Sequence, residues 1–435
     1  MKSSSDTLVF EEHESVVRSY CRKFPAVFST AKNAILEDEH GREYIDFLSG
    51  AGSLNYGHND PMIRGKIVEY ILRDGITHSL DFHTSAKKRF LLAFDEVILK
   101  PRGYNYRLQF TGPTGTNAVE AALKLARKVT GRRNVVAFTD AFHGMTLGSL
   151  AASARQSKRA VAGVSLPDVV RMPYDGYFGE GVSTLDFIEA MLFRTGSGVD
   201  IPAAFILETV QAEGGVNVAS SQWLRGLANM ARKYGVLLIV DDIQAGCGRT
   251  GTFFSFERAG IEPDLVCLAK SISGYGLPMS LVLIRPDLDR WEPGEHNGTF
   301  RGNNLAFEAA TSALDYWRDR SFSHGVAFKS RIIVDHLNAI RAAAPAHVRG
   351  IRGAGFIQGL VFDDPRIAAH VSAAAFGEGL IVELCGPTEN VIKILPPLTI
   401  EPIVLKQGLT RLSTAVSNVL HASLECVPDP VSCSA

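Results

Sequence analysis

Cysteine is scarce and scattered, at Cys21, Cys247, Cys267, Cys385, Cys426 and Cys433 in 435 residues. No two of these form a C-x-x-C pair, so neither a zinc knuckle nor a disulfide framework is expected, and no metal site. No apolar run approaches the ~18 residues of a membrane span. The opening stretch from Met1 to Val17 is polar and acidic, without the apolar core of a signal peptide. Excess charge of one sign is missing too. The 45 Lys and Arg against 46 Asp and Glu leave a net −1, which implies neither a nucleic-acid nor a membrane partner. Internal repeats and low-complexity linkers are absent. What remains is a chain 46% hydrophobic and 21% charged, long enough for two or three domains around a large core. A reducing cytoplasm is its expected compartment.

Against that background, the stretch from Tyr234 to Lys270 carries the strongest signal. Gly235-Val236-Leu237-Leu238-Ile239-Val240 is too short and too branched for a helix and reads as a buried parallel strand. It ends at once on Asp241 and Asp242. Leu265-Val266-Cys267-Leu268-Ala269 is a second such run and ends on Lys270. Two buried strands thus each deliver a charge at the carboxyl end, where open α/β sheets bind ligands. An acid and an amine held in this way meet the needs of pyridoxal phosphate. They also fit an ordinary strand-end ion pair. The run Gly246-Cys247-Gly248-Arg249-Thr250-Gly251 matches G-x-G-x-x-G, but Thr252-Phe253-Phe254 is a poor helix start, so no dinucleotide site is expected.

The flanking text predicts an α/β order. Ala34 to Phe47 reads as a hairpin turning at His40-Gly41, and Pro61 to Arg73 as a helix. Strands are predicted at 135–138, 203–207 and 280–284, and a glycine-punctuated hairpin at 350–362. Thr111-Gly112-Pro113-Thr114-Gly115-Thr116-Asn117 opens a helix whose apolar face is Val119, Ala122, Leu123, Ala126 and Val129, ending at Gly131. Such a helix start suits an anion, and Thr116 and Asn117 equally suit a helix cap in any protein.

Taken together, Asp241-Asp242-Ile243-Gln244-Ala245-Gly246-Cys247-Gly248-Arg249-Thr250-Gly251 and Ala269-Lys270-Ser271-Ile272-Ser273-Gly274 resemble the class III pyridoxal-phosphate aminotransferases, the ornithine and 4-aminobutyrate type. The likeness runs from roughly residue 20 to 415. It implies fold type I: a large, mostly parallel sheet domain over 77–321 and a smaller α+β domain from both ends, 1–76 and 322–435. It implies that Lys270 forms the Schiff base with the cofactor and carries the proton, and that Asp241 holds the pyridine nitrogen. Gln244 would lie near the ring hydroxyl and Phe142 would stack on the ring. Gly115, Thr116 and Asn117 would form the phosphate cup. Glu208 would back Asp241, and Glu213 would face the substrate. Thr299 would reach the phosphate of a neighbouring subunit, which requires a homodimer or a higher homo-oligomer with shared sites. His143 would support the site.

Departures from the broad family concern the substrate. Thr209 replaces a proline. Met145 and Lys393 stand where relatives carry arginines for substrate carboxylates, and a lysine offers a point charge in place of a fork. Lys393 is then the candidate carboxylate contact, and another basic residue near the mouth, such as Arg22, would have to help. Phe110 to Gly115 and Ala141 to Gly148 look closest to the diaminobutyrate–2-oxoglutarate branch of the ectoine pathway. The expected reaction moves an amino group from L-glutamate to L-aspartate 4-semialdehyde, giving L-2,4-diaminobutyrate and 2-oxoglutarate. Its use would be ectoine formation or supply of a siderophore or peptide precursor. The alternatives are another ω-amino substrate such as ornithine, acetylornithine or 4-aminobutyrate, a different reaction on the same cofactor, or a nucleotide-binding protein using the glycine loops.

Overall fold

Leu237–Asp241 is buried at every position, as a strand covered on both faces must be. It is the central member of a seven-stranded sheet in a computed structural model that describes residues 7–425 apart from 180 and 195. The tail after Glu425, expected to be polar and frayed, and residues 1–6 lie outside the described residues. In chain order the strands are β1 (Arg107–Gly112), β2 (Val135–Phe138), β3 (Val169–Met172), β4 (Ala204–Leu207), β5 (Leu237–Asp241), β6 (Leu265–Leu268) and β7 (Ser280–Ile284). Their spatial order is β1-β7-β6-β5-β4-β2-β3. Only β7 runs against its neighbours, β6 and β1; the pairings among β2 to β6 are parallel.

The two-residue period of a strand decides which side chain fills which layer. Leu238 and Val240 join Phe138, Phe205 and Leu268 on one face, against Trp223, Leu224 and Leu227 of helix Ser221–Tyr234. Leu237 and Ile239 join Val135, Ile206 and Cys267 on the other, against Val119, Ala122, Leu123 and Ala126 of α1 (Gly115–Thr130). Gly131 ends α1 in the left-handed conformation, φ 68°. The result is a three-layer α/β/α body with the start of α1 near the carboxyl ends of β5 and β6.

A smaller body is built from both ends of the chain. The hairpin Ile35–Asp38 and Glu43–Asp46 turns at Gly41, whose φ is 78°, and Glu43–Asp46 also pairs in parallel with Leu380–Ile381. A second sheet joins Val348–Ala354, Ile357–Phe362, Val391–Ile394 and Glu383–Cys385. Ile45 and Phe47 share one core with Leu337, Phe356, Leu380 and Leu409. Helix Pro61–Leu72 is capped by Asp60, whose Oδ1 accepts from the N–H groups of Met62 and Ile63 at 3.0 Å each. Such a cap is worth about 1 kcal/mol. The helix packs on Asn304–Ala313 through Ile63 and Ile67.

One buried residue ties the two bodies together. The Arg249 side chain has no exposure, and its Nη1 donates to the carbonyls of Pro396 at 2.5 Å and Phe356 at 3.2 Å. Its Nη2 donates to Asn55 Oδ1 at 2.5 Å. Burial pulls its pKa down to about 9. The glycine run around Arg249 forms turns and opens no helix. Among the described residues no helix is long and apolar enough to cross a membrane.

Candidate active site

The carboxyl ends of β5 and β6 deliver two charged side chains into one cavity of about 160 Å³. Gly115, Thr116, Phe142, Glu208, Glu213, Asp241, Gln244 and Lys270 line it together. Among the residues expected from sequence, Asn117, Thr299 and Lys393 do not.

Asp241 is held before any ligand arrives. Its Oδ2 lies 2.7 Å from Nδ1 of His143, which is wholly buried, and its Oδ1 accepts the N–H of Ile243 at 3.2 Å. The His143 N–H in turn donates to Ser153 Oγ at 2.9 Å. Behind this pair sits Glu208, whose Oε1 accepts the N–H of Phe142 at 2.9 Å. Burial, helped by the neighbouring Asp241 charge, pushes the Glu208 pKa well above the carboxylate range. Asp242, on the opposite face of the strand, is buried against the N–H of Ser255 at 3.0 Å, and burial lifts it to about 7. The two adjacent aspartates therefore differ in role by strand periodicity alone: one faces the cavity and the other the protein interior.

Lys270 begins a one-turn 3₁₀ segment, Lys270–Ser273, with φ at 53°. A non-glycine residue in this left-handed region costs on the order of 1–2 kcal/mol. The strain places its Nζ 2.9 Å from the carbonyl of Ala51. Burial lowers its pKa below that of an ordinary lysine, so the neutral, nucleophilic amine persists to lower pH.

Ala51 belongs to a stretch that sequence reasoning missed. Ser49, Gly50, Ala51 and Gly52 all have positive φ, from 49° to 82°. Asp46 fixes its start, with Oδ1 accepting from the N–H groups of Leu48 at 2.7 Å and Ser49 at 2.8 Å. The Ala51 carbonyl then accepts from both Lys270 and Gln244 Nε2, the latter at 2.8 Å. The run of small residues was the available signal.

Gly115 is the first residue of α1, and a Cβ there would come within 2.8 Å of Ile243 Cδ1. Thr116 Oγ1 shares hydrogen bonds with Thr146 at 2.6 Å and Ser149 at 2.5 Å. Asn117 does something else. Its Oδ1 accepts from the Thr114 N–H at 3.2 Å and the Thr114 hydroxyl at 2.8 Å, so its side chain caps the helix and is turned away from the cavity. The cap and the anion cup draw on the same residue types, and here the cap takes the asparagine. Phe142 is half-buried, with Lys158 Nζ 4.9 Å from its ring centroid. Thr299 begins a separate one-turn 3₁₀ segment, Thr299–Arg301, where its carbonyl meets His78 Nε2 at 2.8 Å.

Lys393 lies beneath the cavity with no side-chain exposure. Its Nζ reaches Glu213 at 2.6 Å, Glu383 at 3.1 Å and Gln244 Oε1 at 3.2 Å. Burial opposes its charge, but the two carboxylates outweigh burial and raise its pKa. Glu213 feels the same balance: burial opposes its charge, and Lys393 and then Lys270 hold it at about 2. Glu383 is a second residue that the sequence did not reveal. Its Oε1 accepts the hydroxyl of Tyr20 at 2.9 Å, which ties the N-terminal lead-in to this charged cluster. Arg22 points elsewhere, to the carbonyls of Arg18 at 3.0 Å and Val16 at 3.1 Å.

The donor set suits pyridoxal phosphate. A sixteen-residue helix begins at Gly115, where first-turn N–H groups have no partner within the helix and the positive end of its dipole favours an anion. Glycine at 115 lets the helix start lie against Ile243, Asp241 is oriented for a ring nitrogen, and Lys270 offers an amine of lowered pKa.

The profile of the aminotransferase class-III family matches residues 17–416. The chain belongs to the class-III aminotransferases. The diaminobutyrate–2-oxoglutarate transaminase of Halalkalibacterium halodurans is 54% identical to it over 419 residues, spanning 96% of this chain and 98% of that protein. The Vibrio cholerae protein of the same name is 55% identical over 403 residues, 92% of this chain and 98% of its own. Among solved structures, the ornithine aminotransferase of Toxoplasma gondii ME49 superposes with a TM-score of 0.83 at 26% identity, covering 96% of this class-III aminotransferase and 95% of that chain.

Proposed function

We propose that this class-III aminotransferase uses pyridoxal phosphate to move an amino group from L-glutamate to L-aspartate 4-semialdehyde, giving L-2,4-diaminobutyrate and 2-oxoglutarate. The observation that carries the reading is the convergence of Lys270 and Asp241 on one cavity, in a chain more than half identical along nearly its whole length to transaminases of that name. The product would supply ectoine formation, or a siderophore or peptide, in the cytoplasm.

The cofactor, when bound, supplies an electron sink for negative charge on the substrate carbon. The start of α1 at Gly115 and Thr116 holds the phosphate. Asp241, oriented by His143, keeps a proton on the ring nitrogen, with Glu208 behind it. Phe142 covers the ring and Gln244 sits beside it. Lys270 Nζ would be the attachment point for the cofactor, and its amine would act as general base and acid for the proton on the substrate carbon bearing the amino group. Glu213 faces the substrate and stays paired with Lys393 when no carboxylate is close.

The substrate assignment is checked by kcat/KM for aspartate semialdehyde, ornithine, 4-aminobutyrate and acetylornithine, measured side by side. Aspartate semialdehyde should lead. A tenfold advantage for ornithine or 4-aminobutyrate would overturn the assignment and leave the aminotransferase reading standing.

Thr299, which does not line the cavity of its own chain, is assigned to the phosphate cup of a second subunit in a homodimer or larger assembly. Lys270→Ala and Thr299→Ala chains should then complement when mixed. Both defects fall in one site of the heterodimer and leave the other intact. Verified heterodimers that recover no activity would argue against a shared site.

A further inference from the structure

The charge on Lys393 is already matched. Glu213 and Glu383 both lie within 3.1 Å of its Nζ, and Gln244 takes a third contact at 3.2 Å. An ammonium has three donors, so this residue has little left for a substrate carboxylate while Glu213 stays in place. Met145 offers none, and Arg22 is committed to carbonyls of its own segment. The substrates of the proposed reaction still carry a carboxylate remote from the reacting carbon, and it needs a partner.

A second cavity, of about 380 Å³, adjoins the first and shares Phe142 and Glu213 with it. Its cationic lining is Arg155 and Lys158. Arg155 Nη2 reaches Glu389 at 2.9 Å in a pair whose side chains are 37% and 40% exposed. Such exposed pairs are weak, and Glu389 is also approached by Lys23 at 3.8 Å. Lys158 Nζ lies 4.9 Å from the centroid of the Phe142 ring, and among the described residues no carboxylate pairs with it. A guanidinium loosely held by an exchangeable carboxylate, beside an unpaired ammonium, is a ready receptor for a carboxylate.

We infer that Arg155 and Lys158 bind the substrate carboxylate remote from the reacting carbon, with that carboxylate taking the place of Glu389 on Arg155. In 2-oxoglutarate this is the side-chain carboxylate; in aspartate semialdehyde it is the α-carboxylate. The inference rests on the transaminase reading above and names the specificity contact of that same site. Phe142 then borders both the cofactor cavity and the cationic anchor.

The test uses holoenzyme with Arg155→Met, Lys158→Met and the double substitution, and Lys23→Met as a control on the same rim. Glutarate, an unreactive dicarboxylate, is titrated calorimetrically, and kcat and KM are measured for 2-oxoglutarate. Each single variant should bind glutarate about tenfold more weakly and the double variant about a hundredfold. KM should rise by similar factors, with kcat changing much less and the cofactor absorbance band intact. Lys23→Met should stay within twofold of the parent. A double variant within twofold of the parent in both glutarate affinity and KM overturns the inference. So does loss of the cofactor band, which would mark a structural role, or a parent that binds no glutarate. A parent that exchanges no amino group between glutamate and any acceptor fails the transaminase reading instead, and glutarate binding is scored separately.

Discussion

Lys270→Ala should yield a folded, cofactor-binding protein whose turnover falls by more than about 10⁴-fold, the upper range of a positioned general acid–base group. The fold should survive because removing the side chain takes away a single hydrogen bond, to the Ala51 carbonyl, and relieves a buried amine of its desolvation. The phosphate should still bind, since its cup at Gly115 and Thr116 is untouched. Three measurements separate these effects: circular dichroism for the fold, cofactor retention after gel filtration, and half-reaction rates with glutamate. Borohydride should fix the cofactor covalently in the parent and leave it removable in the variant. Turnover within tenfold of the parent would exclude Lys270 as the attachment point and proton carrier. The sign of its pKa shift adds a pH dependence. Burial lowers the pKa, so apoenzyme should attach cofactor at a pH where an exposed lysine is almost wholly protonated. Below the shifted pKa, attachment slows.

Asp241→Asn should cost about a thousandfold in the rate of the proton-transfer step, comparable to losing one charged contact of about 4 kcal/mol in a buried site. The geometry should hold, because asparagine can keep the contacts to His143 and the Ile243 N–H. The charge is what is lost, and with it the preference for a protonated ring nitrogen. Single-turnover spectroscopy with glutamate gives the rate. A loss of less than tenfold would move the ring contact elsewhere, and Glu208, whose pKa is already raised by burial and by Asp241, would be the next group to test.

The strand ends were legible because two short signals coincide there. A run of branched apolar residues has one structural solution in a covered sheet, and a charge directly after it has to lie at the sheet's edge. The places of Asp241 and Lys270 needed nothing more than this, whereas their roles came from the resemblance of the flanking text. The hairpin at Gly41 and the helix closed by Gly131 were legible for the same local reason. Asn117 was not, because a helix start uses an amide equally well for its own cap or for an anion. The left-handed stretch 49–52 depends on Asp46, Gln244 and Lys270 together, and no window of sequence contains all three. Glu383 was hidden by distance: it lies 170 positions after Glu213 in sequence and meets it only through Lys393. Arg155 and Lys158 belong to no motif, and the cavity they line is visible only in three dimensions.

The pairing of Glu43–Asp46 with Leu380–Ile381 has a consequence for the order in which the protein becomes an enzyme. All seven strands of the large sheet are in place by Ile284, so a chain emerging from the ribosome can assemble the ends of β5 and β6 early. The hairpin near its beginning must then wait, one apolar face uncovered, for a partner encoded almost 340 residues later. Non-local pairings of this span are slow and leave surfaces open to self-association. Lys393 arrives with the same late segment, so until then Glu213 has only the more weakly coupled Lys270 as a counter-charge. The Glu213–Lys393–Glu383 cluster beside the cavity is therefore assembled only after the large sheet.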